Sequence, residues 1–194
     1  SYVLDTDGRA VEAVVKAAGA DVVGFTRLAA ARPADQIVRL LNRIFTAFDE
    51  LADRWDVEKI KTIGDAYMVA SGLPLARDDH AAVVAEVAIA MREAVRRIAD
   101  EQGLVLELRI GVHTGPVVAG IIGLKKFAYD VWGDTVNVAQ RLEDAARSVC
   151  AEEEVAVVAS DAVVARAGDG FRFEPLGDLT VRGRREPVRA FRLA

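Results

Sequence analysis

The 194-residue chain is 52% hydrophobic and 28% charged, a balance that excludes a disordered segment and fits one large domain with a real core. Its net charge of −5 and 6% aromatic content argue against a nucleic-acid surface, and a lone cysteine, Cys150, excludes an internal disulfide and suits a reducing compartment. No signal-peptide pattern opens the chain and no apolar run approaches the roughly 20 residues of a membrane span, so a cytoplasmic domain is expected, reaching a membrane only through a possible parent segment.

Residues 1–10 read as a loose, polar entry to a single domain covering 1–194. Val11 to Ala20 is compatible with a helix or a central strand. At Asp21-Val22-Val23-Gly24-Phe25-Thr26 a strand end turns into a helix start, with Gly24 permitting the turn and Thr26 a natural N-cap. Pro33 separates a short helix from a long one, whose buried stripe is Ile37, Leu40, Leu41, Ile44, Phe45, Phe48 and Leu51.

Val57 to Ala70 alternates apolar residues around Gly64-Asp65, the pattern of a β-hairpin with its turn at that pair. A plain hairpin accounts for the glycine and the aspartate. It does not account for Lys61, a charge on a strand that otherwise reads as buried, where a charge needs a partner. Pro74 to Asp79 reads as a loop, with Asp79 capping a helix from about His80 to Asp100 that Gly103 ends. Leu104 to Val112 alternates as a strand, His113 to Pro116 reads as a turn, and Val117 to Ile122 as another strand. Tyr129 to Trp132 is a short strand. Gly133-Asp134-Thr135 opens a helix with Val136, Ala139 and Leu142 on its core face. A strand at Val155 to Ala159, a short helix, and strands near Phe171–Leu176 and Arg189–Leu193 complete the order. Helices interleaved with direct hairpins predict an α+β fold, an antiparallel sheet with helices on one face.

Asp21 and Asp65 each stand beside a glycine at a strand end. If those strands are neighbours, two converging carboxylates require a cation between them, and hard oxygen ligands suit magnesium or manganese. Taken singly, each is also an ordinary turn residue. The glycine turn feeding the helix at Phe25-Thr26 is a natural phosphate seat. Asn137 and Arg141 are four apart on a helix and share a face, able to hold a sugar and a phosphoryl oxygen together. A solvated polar face is the ordinary alternative; against it, Val138 and Ala139 read as making that helix mostly buried. His80, His113 and Cys150 read as structural, and no Walker loop, zinc pattern, nucleophile elbow or Rossmann fingerprint occurs.

Four segments, in order and at family-like spacing, resemble the class III adenylate and guanylate cyclase catalytic domain: Ala20–Thr26, Glu58–Tyr67, Leu108–Gly115 and Tyr129–Arg141. The resemblance implies a ferredoxin-like α+β domain that dimerises head to tail with shared active sites. It makes Asp21 and Asp65 the metal aspartates for two Mg²⁺ or Mn²⁺ ions and Lys61 with Asp130 the purine-reading pair. Asn137 becomes the ribose-orienting residue and Arg141 the transition-state arginine. Arg109 and Arg182 resemble phosphate-contacting positions. The segment Lys16-Ala17-Ala18-Gly19-Ala20 departs from the aliphatic strand ending in Phe-Ala-Asp that the family usually shows, and Gln140 stands where a small residue is common.

Hydrogen bonding then selects the base. Adenine offers a donor at its exocyclic amine and an acceptor at N1, and guanine reverses both; an ionised aspartate only accepts and a lysine only donates. Asp130 and Lys61 therefore complement adenine, and the expected reaction is conversion of ATP to cyclic AMP and pyrophosphate in a homodimer. The alternative is a catalytically silent nucleotide-binding homologue acting as a regulatory module.

Overall fold

The computed structural model describes residues 11–16, 33–122, 128–150, 155–180 and 186–194. Asp21, Phe25, Thr26 and Arg182 lie outside the described residues, as do the lysine pair at 125–126 and the acidic run at 152–154. The valine-rich opening takes the strand alternative: β1 (Val11–Lys16) pairs antiparallel with strands on both sides. Crowding at Cβ makes such residues favour extended backbone.

Pro33 precedes α1 (Ala34–Trp55), which ends at Asp56 in the left-handed conformation. Of its expected stripe, Ile37, Ile44, Phe48 and Leu51 are buried, with Leu40, Leu41 and Phe45 half-buried. Next come β2 (Glu58–Ile63) and β3 (Ala66–Ala70), joined at Gly64-Asp65 as the alternation predicts, with Gly64 at φ +63° where an L side chain is disfavoured. α2 (His80–Gln102) closes with a left-handed Gly103 whose N–H reaches the Ala99 carbonyl. Asp79 does not cap it through its side chain, because both carboxylate oxygens accept from Arg77, at 2.7 and 3.1 Å. A charge-assisted fork outcompetes a backbone amide.

The break expected at His113–Pro116 is absent. β4 runs unbroken from Leu108 to Ile122, and it starts later than Leu104 because its parallel partner, β6 (Val155–Ser160), first pairs at Leu108↔Val155. Its glycines serve packing rather than a turn. A Cβ on Gly111 would lie 2.1 Å from the Ala139 carbonyl oxygen, and one on Gly115 would lie 2.8 Å from Thr135 Oγ1. α3 (Asp134–Val149) can therefore rest directly on the strand, with Thr135 Oγ1 donating to the Pro116 carbonyl at 2.7 Å. β5 (Ala128–Trp132) pairs with the outer half of β4; α4 (Asp161–Ala167), β7 (Phe173–Leu179) and β8 (Val188–Leu193) complete the chain.

The sheet order is β2-β3-β1-β4-β6-β8-β7 with β5 joined to β4, and every pairing but β4–β6 is antiparallel. This is the α+β, antiparallel-rich architecture expected from the sequence, but helices cover both faces of the sheet rather than the one face expected, because β4 and β6 bury apolar or close-packed residues on both sides. α1, α2 and α4 cover one face, where Phe48, Met91 and Val163 meet Tyr67, Ile110 and Val157. α3 covers the other, where Val138, Leu142 and Cys150 meet Ala156, Val158 and Ala190. β6 is buried along its whole length because its alternate residues enter these two cores. A third apolar cluster, Ile60, Met68, Ala70, Val117 and Val131, ties the hairpin to the β4–β5 ribbon.

Candidate active site

Lys61 finds its partner on β5, 69 residues on, and not in the adjacent turn: its Nζ donates to Asp130 Oδ2 at 2.5 Å. The other carboxylate oxygen, Oδ1, accepts from the Val131 N–H at 2.8 Å, fixing the carboxylate against its own strand. The pair is half-buried, with the side chains 36% and 20% exposed, so lone pairs and N–H groups remain accessible to a third partner.

Asp65 sits half-buried at the turn between β2 and β3. Arg109 lies at the same end of the sheet. Val15 of β1 pairs with Val69 on one side and Val112 on the other, so Ala66 and Arg109, each three residues back along its strand, share one level. Arg109 is 3% exposed, donating to the Leu108 carbonyl at 3.1 Å and to Glu107 Oε2 at 3.2 Å. Its guanidinium is enclosed on the sheet side that α3 covers rather than presented to solvent, so it does not stand ready for a phosphate as the sequence led us to expect.

Asn137 and Arg141 share a face of α3, as their spacing predicts, but not a buried one. The helix buries Thr135, Val138, Ala139, Leu142 and Ala146 and leaves Asn137 and Arg141 exposed. Arg141 pairs with Asp144 at 3.0 Å. Gln140, uncommon at its position, donates to Glu143, a carboxylate buried against β4. The two histidines are structural: His80 Nε2 meets Thr114 Oγ1 at 2.9 Å and His113 Nδ1 meets Ser160 Oγ at 2.7 Å.

Sequence reasoning missed a polar cluster behind the hairpin. Tyr67, fully buried, donates to Asp49 Oδ1 at 2.5 Å, and Lys59 Nζ donates to the same carboxylate at 2.6 and 2.8 Å. Burial, then the Asp49 carboxylate, pushes the Tyr67 hydroxyl well above the ordinary tyrosine range. Burial, then Glu58, also raises Tyr129. The signal available beforehand was a tyrosine in an apolar alternation, since a buried hydroxyl must find a partner.

Among the described residues no three His, Cys, Asp or Glu side chains gather as a self-sufficient metal site. A cleft of about 710 Å³ opens between the end of α1 and the segment before α2, lined by Trp55, Glu58, Leu73, Arg77 and Asp79; it includes none of the site residues. No helix among the described residues is long and apolar enough to cross a membrane.

Comparison with known proteins agrees with this layout. The model of the adenylate and guanylate cyclase catalytic domain matches residues 14–194. An adenylate cyclase of Mycobacterium tuberculosis is 42% identical over 165 residues, 85% of this chain and 36% of that protein. The receptor-type guanylate cyclase Gyc76C of Drosophila melanogaster is 49% identical over 126 residues, 63% of this chain and 8% of that protein. Among solved structures, the adenylyl cyclase CyaB from P. aeruginosa superposes with a TM-score of 0.82 at 26% identity, covering 94% of this chain and 92% of that one. The chain thus spans about a third or less of the length of these two curated relatives. With the fold and the paired motifs in agreement, the chain belongs to the adenylate and guanylate cyclase catalytic domain family.

Proposed function

We propose that the domain is an adenylate cyclase, and the observation that carries this reading is the Lys61–Asp130 contact. Asp130 offers only acceptors and Lys61 only donors, which match the exocyclic amine and N1 of adenine and oppose the corresponding groups of guanine. A mismatch of half-buried polar partners discriminates strongly, since the wrong base leaves both groups unpaired. The family contains enzymes for both purines, so the choice rests on this pair.

The reaction joins the ribose 3′-oxygen to the α-phosphorus as the hydroxyl loses its proton, and the bond from that phosphorus to pyrophosphate breaks. Asn137 orients the ribose, and Arg141 offsets charge growing on the phosphoryl oxygens. Asp65 fits a hard divalent ion, since a half-buried carboxylate at an open turn leaves other positions to water and phosphate oxygens; Asp21 is the expected second ligand, and Mg²⁺ or Mn²⁺ the expected ion, two per site. Such ions, when bound, supply Lewis-acid charge that favours the ionised 3′-hydroxyl. Thr26 with Phe25, Arg182 and Arg109 remain proposed phosphate contacts; for Arg109 this requires release from its enclosed position.

Arg141 and Asn137 face away from the body of the domain, which supports a site completed by a second copy, with Asp65 contributed by one chain and Arg141 by the other. The exposed cross-strand pair Val118 and Trp132 on the β4–β5 ribbon, 59% and 37% exposed, supports an apolar contact between copies. A head-to-tail homodimer then holds two complete sites. Mixing tests this. Asp65→Ala and Arg141→Ala chains, each inactive, should regain cyclic AMP formation when combined; no recovery would overturn the shared site.

A further inference from the structure

Lys59 and Lys61 stand two residues apart on one strand, where regular pleating would send both side chains to the same face. They go to opposite faces. Lys59 is paired with Val69, which lies in the core beneath α1 and α2, and Lys61 is paired with Met68, which lies in the cluster facing the β4–β5 ribbon. The register shift between Lys59 and Lys61 makes the difference, because Ile60 is the extra residue of a β-bulge and enters the ribbon-side cluster. Bulges of this kind re-aim a side chain. Here the bulge turns Lys61 toward Asp130.

A bulge leaves a ladder position unpaired, so something else must hold it. Asp49 of α1 grips both strands just behind it, accepting from Lys59 on β2 and from Tyr67 on β3. The Lys59 ammonium lies 5.0 Å from the centroid of the Tyr67 ring, and that ring packs edge-on against Phe48 at 5.3 Å and tilted by 41° against Phe45 at 5.6 Å. One carboxylate, one ammonium and one phenol thus fasten the hairpin to α1 two residues before Lys61 and two residues after Asp65.

We infer that Asp49 is a positioning residue for base selection: by clasping Lys59 and Tyr67 it holds the bulge that aims Lys61 at the purine. This rests on Lys61 and Asp130 reading the base. Asp49 touches no substrate and acts through Lys61 alone.

The test is the ratio of kcat/KM for ATP to that for GTP, measured alongside competition binding of non-hydrolysable ATP and GTP analogues. Asp49→Ala should lower the ATP preference by about tenfold, with Asp49→Asn, which keeps an acceptor oxygen, recovering much of it. In a Lys61→Ala background the Asp49 substitution should change the ratio no further, because its route to the base is already cut. A fall in turnover that is equal for both purines would overturn the proposal, since a merely structural role scales both alike. Should Asp49→Ala fail to fold, Lys59→Met and Tyr67→Phe remove one arm of the clasp each and carry the same expectation. Lys61→Ala separates the two possible failures. If it leaves the ratio unchanged, the purine reading falls and the positioning role with it; if it shifts the ratio while no clasp variant does, the reading stands and the positioning role falls.

Discussion

Lys61 Nζ and Asp130 Oδ2 meet at 2.5 Å across two strands that are not hydrogen-bonded to each other, one at the sheet edge and one on the β4–β5 ribbon. The pair is assembled by the fold before any nucleotide is present, so a base read by it would meet donors and acceptors already fixed in register. Preorganisation of this kind makes a polar mismatch costly, because the wrong base cannot induce the groups to rotate away without unpairing them. Replacing Lys61 by Glu and Asp130 by Cys reverses or removes each partner. The double variant should move preference toward GTP, read as product identity and the ratio of kcat/KM for the two nucleotides. Unchanged selectivity would remove this pair from base recognition.

Arg141 is separable from stability. Its only described ion pair is with Asp144 on the same exposed face, an i,i+3 contact of a kind that contributes about 0–1 kcal/mol. Arg141→Ala should leave the thermal midpoint nearly unchanged while lowering kcat on the order of 10³-fold, by analogy with arginines that stabilise phosphoryl-transfer transition states. Thermal unfolding beside steady-state kinetics checks both halves of this expectation.

Gly111 makes the opposite prediction. A methyl group there would meet the Ala139 carbonyl at 2.1 Å and the Glu143 amide nitrogen at 2.6 Å, both backbone atoms of α3. Neither can swing aside as a flexible side chain could, so the helix must lift from β4. Gly111→Ala should cost about 1–3 kcal/mol or more, measured by denaturant unfolding. Activity should fall too, because α3 carries Asn137 and Arg141.

Tyr67 sets an alkaline limit. Its folded pKa is raised, first by burial and then by Asp49, above the value of about 10 in an unfolded chain. The folded state therefore retains a proton that the unfolded state loses. That contribution is complete below pH 10 and shrinks as pH rises beyond it. Tyr67→Phe, which cannot titrate, should be less stable at neutral pH through loss of a hydrogen bond to a charged group, roughly 1.5–3 kcal/mol, yet show a shallower decline between about pH 10 and 11.5. Denaturant midpoints across that range, compared between the two proteins, check the difference in slope.

The parts of this molecule that were legible in the sequence are those governed by local pattern. The Gly64-Asp65 turn, the helical stripe through Ile44 and Phe48, and the shared face of Asn137 and Arg141 follow from periodicity and turn chemistry. What was not legible depends on partners distant in the chain. Gly115 beside Pro116 suggested a turn, and only α3 lying across β4 explains Gly111 and Gly115 as close-approach positions in one long strand. Val138 and Ala139 suggested that α3 was mostly buried, whereas the sheet needs only one of its faces. The bulge at Ile60 is invisible to a period-two reading, which would place Lys59 and Lys61 together; the Asp49–Tyr67 contact that secures it spans two elements. Arg109 matched a motif, but its burial is a property of the packed sheet.

The most direct measurement is conversion of ATP and, separately, GTP by the purified domain with Mg²⁺ or Mn²⁺, following both cyclic nucleotide and pyrophosphate, with Asp65→Ala as the control. The account predicts cyclic AMP and pyrophosphate in equal amounts from ATP, little cyclic GMP from GTP, and neither product from the variant. Preferential cyclic GMP formation would contradict the roles given to Lys61 and Asp130. Metal-dependent ATP binding without product, even at high protein concentration, would contradict the enzyme itself and leave a silent nucleotide-binding module.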